Sequence, residues 1–203
     1  MLTFYHAPDS RSTTILQLID EMGVADQIRT QIVTIPRHDG SGAPDPRNPH
    51  PERKVPYLTD GEDWVRERSA IIVYLTDRFD SDLGRPVGDP QRGRYLSWLA
   101  WYQGVLEPVA MFHATGVSHP WLSASFRDLA TAVARVEGVL ADQPYLLGAR
   151  YSAADLLIAG AFHFFGQMDP ATIPETGPIR EWVARCQDRD AVRRTVERDK
   201  TGA

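Results

Sequence analysis

The chain has 203 residues, enough for one large domain or two small ones with a real core. Hydrophobic residues make up 42% and charged residues 24%, and the net charge of −5 gives neither nucleic acid nor an anionic membrane an electrostatic reason to bind. A single cysteine, Cys186, excludes an internal disulfide framework and any paired-cysteine redox or zinc site; it reads as a half-buried structural thiol. The first residues show no basic region followed by a long apolar run, and no apolar stretch reaches the length of a membrane span, so a cytoplasmic protein is expected.

Residues 2–5 and 31–35 predict short strands, and Ile15, Leu18, Ile19 and Met22 between them recur at helical spacing until Gly23 ends the run. Strand, helix, strand is a βαβ unit, right-handed by default. A Pro-, Gly- and Asp-rich loop from Pro36 to Pro51 follows, too long and polar to be core. Two small strands, Pro56–Thr59 and Asp63–Val65, flank the Asp60-Gly61 turn as a hairpin. A helix over about 67–79 carries Ile71, Leu75 and Phe79 on one stripe and closes a βαββα-type unit near residue 80.

Residues 81–88 read as a linker. Asp89-Pro90 then pairs an N-cap with a proline at the first helical position. From there on no strand signal competes with helical periodicity, and four or five helices fill residues 89–199. Ser152-Ala-Ala-Asp155 is a capping-box variant. The basic residues between Arg185 and Arg198 interleave with Asp188, Asp190, Glu197 and Asp199, the pattern of a solvated helix face. Trp98, Trp101, Tyr102 and Val105 make one aromatic-rich face of the helix over 90–115, most economically core or dimer contact.

Chemistry is expected at three places. Ser10 and Ser12 stand where the first strand ends and the first helix begins, at backbone N–H groups without helical partners and at the positive end of the helix dipole. A thiolate there would be stabilised by both, and by a serine hydroxyl; helix capping is the competing use of one of the two serines. Val55-Pro56 opens the third strand with a residue that cannot donate a ladder hydrogen bond, so the Val55 backbone can face a ligand as if adding a strand. Glu67-Arg68-Ser69-Ala70-Ile71 opens the following helix. The six histidines are scattered, and none pairs with another His or with Cys at ligand spacing, so no metal is expected.

Together with Tyr5 and Pro8, these segments make the chain resemble the glutathione transferase family, of the bacterial cytosolic type with serine at the thiol-activating position. The resemblance implies an N-terminal thioredoxin-like domain over 1–80, followed by an all-helical domain over 89–203 that carries the electrophile site and dimer contacts. It also implies a cis bond at Val55–Pro56 and glutathione as co-substrate, with conjugation to a small apolar electrophile and a detoxifying role. Ser10 is then the expected thiol partner, with Ser12 and Tyr5 as competitors. Lys54, Val55, Pro56, Glu67, Arg68 and Ser69 would hold the rest of glutathione. Arg68 departs from the family pattern, which has serine there; it either pairs with a glutathione carboxylate or points to solvent. Met111, Phe112 and His113 are candidates to line the electrophile site, and Asp155 is a fold residue. The same resemblance keeps open a glutathione-dependent isomerase, dehalogenase or peroxidase, and a non-catalytic binding protein on the same fold.

Overall fold

The computed structural model describes residues 1–201. Their contacts divide into two units, Met1–Ser81 joined by the helical residues from Asp190 on, and Asp82–Arg189.

The first unit is built on four strands: β1 (Leu2–His6), β2 (Ile28–Ile32), β3 (Tyr57–Asp60) and β4 (Asp63–Arg66), in the spatial order β2-β1-β3-β4. β1 runs parallel to β2, with Leu2 opposite Ile28 and His6 opposite Ile32. β3 returns antiparallel along β1 and β4 antiparallel along β3, so Tyr57 lies opposite both Tyr5 and Arg66. Along β1 the two-residue alternation buries Leu2, Phe4 and His6 and leaves Thr3 and Tyr5 half-buried. A histidine therefore takes a core position.

Helix α1 (Thr13–Glu21) buries Ile15, Leu18 and Ile19, and Gly23, at φ +69, supplies the left-handed residue just beyond its end. The second strand starts three residues before the β-branched cluster that predicts it. A helical turn at Ala25–Gln27 delivers the chain to the sheet already at Ile28, and Val33 follows the strand. The hairpin and helix α2 (Arg68–Arg78) fall where the sequence places them.

In the second unit the sequence underestimates the number of breaks. Helices α3 (Arg92–Trp101), α4 (Glu107–Ala114), α5 (Pro120–Phe126), α6 (Leu129–Leu140), α7 (Ala153–Met168) and α8 (Pro178–Gln187) precede α9 (Asp190–Thr201), seven α-helices among the described residues where four or five were expected. Asp89 does not cap α3 directly: its carboxylate accepts the Gln91 N–H at 2.7 Å in a turn ahead of the helix, and Gln91 is the N-cap. Between α3 and α4 lies one wide, π-helical turn, Tyr102–Leu106. Pro108 explains it, because its ring and missing N–H exclude the ordinary bond to the Gly104 carbonyl one turn earlier.

Trp98, Trp101 and Tyr102 are buried, and Arg135 lies over both tryptophan rings. Asp155 organises the base of α7. Its carboxylate accepts the Leu146 N–H at 2.8 Å, the Ser152 N–H at 3.0 Å, the Ser152 hydroxyl at 2.7 Å and the Trp182 indole N–H at 3.0 Å. Burial raises its pKa against the pull of these donors. Cys186 is fully buried, not half-buried.

Helix α9 is the largest departure from the sequence expectation, which groups residues 89–203 together and reads this segment as solvated. Arg194 donates twice to Asp20 of α1, at 2.6 and 3.0 Å, and Asp199 is 7% exposed. Asp190, Arg193, Glu197 and Lys200 stay on an exposed face, as the pattern implies, whereas Arg194, Arg198 and Asp199 fasten α9 to α1 and β1. Among the described residues, no helix is long and apolar enough to cross a membrane.

Candidate functional site

The strand register brings three chain segments to one end of the first unit's sheet. β1 ends there and continues through Ala7 to Ser10 and Ser12; β3 begins there after Val55-Pro56; β4 ends there at Arg66, followed by Glu67 and α2. Tyr5 packs with Ala7, Val33 and Val55 in one apolar cluster, which ties the first two segments together.

Ser10 is half-buried and holds the start of α1. Its Oγ accepts the Ser12 N–H at 3.1 Å, its carbonyl accepts the Thr13 N–H at 3.0 Å, and its hydroxyl donates to the Ala7 carbonyl at 2.7 Å. Two of the N–H groups that the sequence leaves free for a ligand are thus already used. Ser12 occupies the N-cap position but makes no capping bond with its side chain. It is 0% exposed, and its Oγ meets the Ala7 N–H at 3.1 Å, the Ala7 carbonyl at 3.1 Å, Ser10 Oγ at 2.7 Å and His6 Nδ1 at 2.8 Å.

The far side of the His6 ring faces α9, with Nε2 2.9 Å from Asp199 Oδ1. Asp199 Oδ2 accepts the Thr13 hydroxyl at 2.7 Å and the Asp9 N–H at 3.1 Å. Burial opposes ionisation of this carboxyl, but the His6, Thr13 and Asp9 donors outweigh it and hold its pKa below the usual range. Arg37 clamps the same loop from outside, donating to the carbonyls of Pro8 and Asp9. The sequence pointed to neither His6 nor Asp199. The alternation Leu2, Phe4, His6 could have found the first, since a histidine on a core face needs partners; no local pattern marks the second.

The loop from Pro36 to Pro51 is not simply polar surface. Asp45, Asn48 and His50 are buried within it. The Asp45 carboxylate, whose pKa is driven well down by Arg47, accepts the Thr34 N–H. Asn48 donates to the Lys54 carbonyl at 3.0 Å and accepts the His50 N–H at 3.0 Å, which fixes the approach to Val55. Burial lowers the pKa of His50, whose ring meets Tyr57 edge-on.

The Val55–Pro56 bond is cis. Neither the N–H nor the C=O of Val55 is bonded within the described residues, leaving a donor and an acceptor at the sheet end. Lys54 is exposed and pairs with Glu52.

Glu67 is the N-cap of α2 and has φ +70 and ψ 127, a conformation that L-residues other than glycine rarely adopt. Its side chain is exposed and Ser69 is half-buried. Arg68 is 8% exposed, so it does not point to solvent.

Of the other predicted residues, Tyr5 lies half-buried with its ring 6.1 Å from that of Tyr57. Met111 and Phe112 are half-buried on α4, with Phe112 against Phe126 of α5. His113 is exposed, with Nε2 2.9 Å from the Asp169 carboxylate. No group of three or more His, Cys, Asp or Glu among the described residues is placed to hold a metal ion.

The family model for the C-terminal domain of glutathione S-transferases matches residues 120–185. An uncharacterized GST-like protein of Streptococcus mutans is 27% identical over 175 residues, which cover 74% of this chain and 63% of that protein. Glutathione S-transferase aclG of Aspergillus oryzae is 29% identical over 175 residues, covering 75% of this chain and 76% of its own length. A crystal structure of a glutathione S-transferase from Actinobacillus pleuropneumoniae superposes with a TM-score of 0.78 at 20% identity, over 98% of this chain and 93% of its own. The fold is that of the glutathione S-transferases, and the matches support that family for this chain.

Proposed function

We propose that this chain is a glutathione transferase: it binds glutathione at the sheet end of the first unit and activates its thiol beside Ser10. The conjugation partner in this reading is a small apolar electrophile. The observation that carries it is the unpaired Val55 backbone beside the Ser10 loop. An extended peptide can add there as a short strand, with both main-chain bonds supplied in advance. Glutathione is such a peptide, with a thiol in its middle and charged groups at its ends.

The remaining residues fit in kind. Glu67 offers a carboxylate to the γ-glutamyl ammonium group, and the start of α2 with Ser69 offers donors to the neighbouring carboxylate. Arg68, buried in the same turn, supplies a positive charge where the family has serine. Lys54 stays an outer contact because its side chain reaches solvent. Tyr5 and Ser12 remain alternative thiol partners, though Ser12 is enclosed and Tyr5 belongs to the apolar packing. Met111, Phe112 and His113 are proposed for the electrophile.

A thiol of pKa about 8.5 is only about 3% ionised at pH 7, so complete ionisation contributes at most roughly thirtyfold. Positioning the electrophile must supply the rest. A homodimer in the cytoplasm completes the proposal; a shallow hollow on the first unit, lined by Val65, Ala70, Val73 and Tyr74 with Asp77 and Arg78, is the surface offered for a contact between copies.

Calorimetric titration with reduced glutathione, followed by a conjugation assay with an aryl halide, tests the reading. Saturable binding at micromolar to low-millimolar concentrations with turnover is expected. Binding without turnover would favour the non-catalytic alternative, and no binding would remove glutathione from the account.

A further inference from the structure

The hydrogen-bonded file Ser10, Ser12, His6, Asp199 has an order that capping and packing do not require. Three contacts connect it: Ser10 Oγ to Ser12 Oγ at 2.7 Å, Ser12 Oγ to His6 Nδ1 at 2.8 Å, and His6 Nε2 to Asp199 Oδ1 at 2.9 Å. Only its first member is open to solvent: Ser10 is half-buried, whereas Ser12 is 0% and His6 1% exposed. Every member lies within the first unit. We propose that this file is a proton relay, which takes the proton of a thiol bound at Ser10 and stores it on His6 beside Asp199. The proposal rests on the glutathione reading above and deepens it.

The proton inventory defines the resting state. Asp199 accepts from Thr13 and from the Asp9 N–H on one oxygen, so its other oxygen takes the Nε2 hydrogen of His6. In the neutral ring that leaves Nδ1 bare, and the adjacent Ser12 hydroxyl donates to it. Ser12 Oγ then has lone pairs for the Ala7 N–H and for the Ser10 hydroxyl. Ser10 has two acceptors at 2.7 Å, the Ala7 carbonyl and Ser12 Oγ, and can turn its hydrogen to either.

A thiol hydrogen-bonded to Ser10 Oγ can then lose its proton by a concerted shift. The S–H bond breaks as a new O–H bond forms on Ser10. The original Ser10 hydrogen passes to Ser12, and the original Ser12 hydrogen passes to His6 Nδ1. One proton has moved from sulfur to imidazole, no electron has changed owner, and a thiolate and an imidazolium have formed. The Ser10 hydroxyl now points at the thiolate, Ser12 donates to Ser10, and the imidazolium donates to Ser12 and to Asp199.

A serine hydroxyl alone can hand on such a proton but cannot keep it. The buried imidazole can, because the Asp199 carboxylate faces the new positive charge at ion-pair distance. The charged groups at the ring are that carboxylate from α9; from β1 the stacked neighbour is Phe4, and from α1 the contact is the neutral Ser12. His6 and Asp199 act through Ser10 and are therefore positioning residues for the proton, not contacts of the substrate.

The test reads the proton directly. In full-length, ¹⁵N-labelled protein, the imidazole nitrogen resonances of His6 are recorded free, with glutathione, and with S-methylglutathione, which has no thiol proton. Both ligands are checked for binding by calorimetry, and the thiolate by its ultraviolet absorbance. The expected result is a neutral ring in the free protein and with S-methylglutathione, and a doubly protonated ring with glutathione. A neutral ring alongside a clear thiolate signal would overturn the relay while leaving glutathione binding intact. A ring already doubly protonated in the free protein would also overturn it. Failure of both ligands to bind would overturn the relay together with the glutathione reading, a distinct outcome. Asp199→Asn gives an independent check: at a given pH the thiolate-to-thiol ratio of bound glutathione should fall about tenfold, equivalent to one pKa unit, with S-methylglutathione affinity unchanged. An unchanged thiolate fraction would count against the proposal.

Discussion

At the scale of single residues, the site concentrates backbone and hydroxyl groups whose alternatives are visible. Ser10 has the Ala7 carbonyl and Ser12 Oγ both at 2.7 Å in the free protein, so engaging a thiol means trading one hydrogen bond for another, and little net energy is lost. Ser10→Ala should raise the pKa of bound glutathione and slow conjugation tenfold or more, an expectation of a lost charge-assisted bond; rate against pH measures both. Glu67 carries a different cost, its positive φ. Strain of this kind is worth on the order of 1–3 kcal/mol, and glycine would relieve it at an entropic cost of up to about 1 kcal/mol. Glu67→Gly should therefore stabilise the free protein by about 1 kcal/mol while weakening glutathione. Denaturant unfolding and calorimetry on the same variant separate the two effects.

Among the elements, the ones legible in the sequence are those whose signal is local. Ile15, Leu18 and Ile19 announce α1, Asp60-Gly61 announces the hairpin, and Ser152-x-x-Asp155 announces the start of α7. The π-helical turn escaped because Pro108 only forbids a bond; which neighbouring carbonyls re-pair is decided by packing. Helix α9 escaped for the opposite reason. Its charges satisfy a surface pattern perfectly well until Asp20 and His6, far away in sequence, claim three of them. The buried Asp45, Asn48 and His50 were hidden in the same way inside a loop whose composition reads as solvent-facing. Asp155 is where local and distant signals coincide. Asp155→Ala would leave four buried donors without an acceptor, and at roughly 1–3 kcal/mol for each orphan the second unit should lose at least about 4 kcal/mol. A lowered denaturation midpoint, not restored by glutathione, is the expected sign.

Across the whole molecule, stability should be acid-sensitive in a defined direction. Asp45 and Asp199 both have folded-state pKa values below their unfolded ones. The folded protein therefore binds fewer protons in acid than the unfolded chain. The stabilisation from these groups is complete above the unfolded value of about 3.9 and is lost as pH falls through the folded values. Urea unfolding midpoints measured from about pH 7 down to about pH 3 should fall, first as the unfolded chain protonates His50 and then, below about pH 4, through Asp45 and Asp199, with the raised pKa of Asp155 opposing part of the second fall. Asp199→Asn should flatten that fall, and a midpoint independent of pH in both proteins would contradict the assignment.

The return of α9 to the first unit also sets an order of assembly. A ribosome makes the four strands, α1 and α2 first, then the whole of residues 82–189, and only then the helix that carries Asp199. While the second unit is being synthesised, His6 sits on a core-facing position with its outer nitrogen unanswered. The first unit emerges first but matures last, and a chain that stops early leaves the Ser10–Ser12 loop without its buried carboxylate.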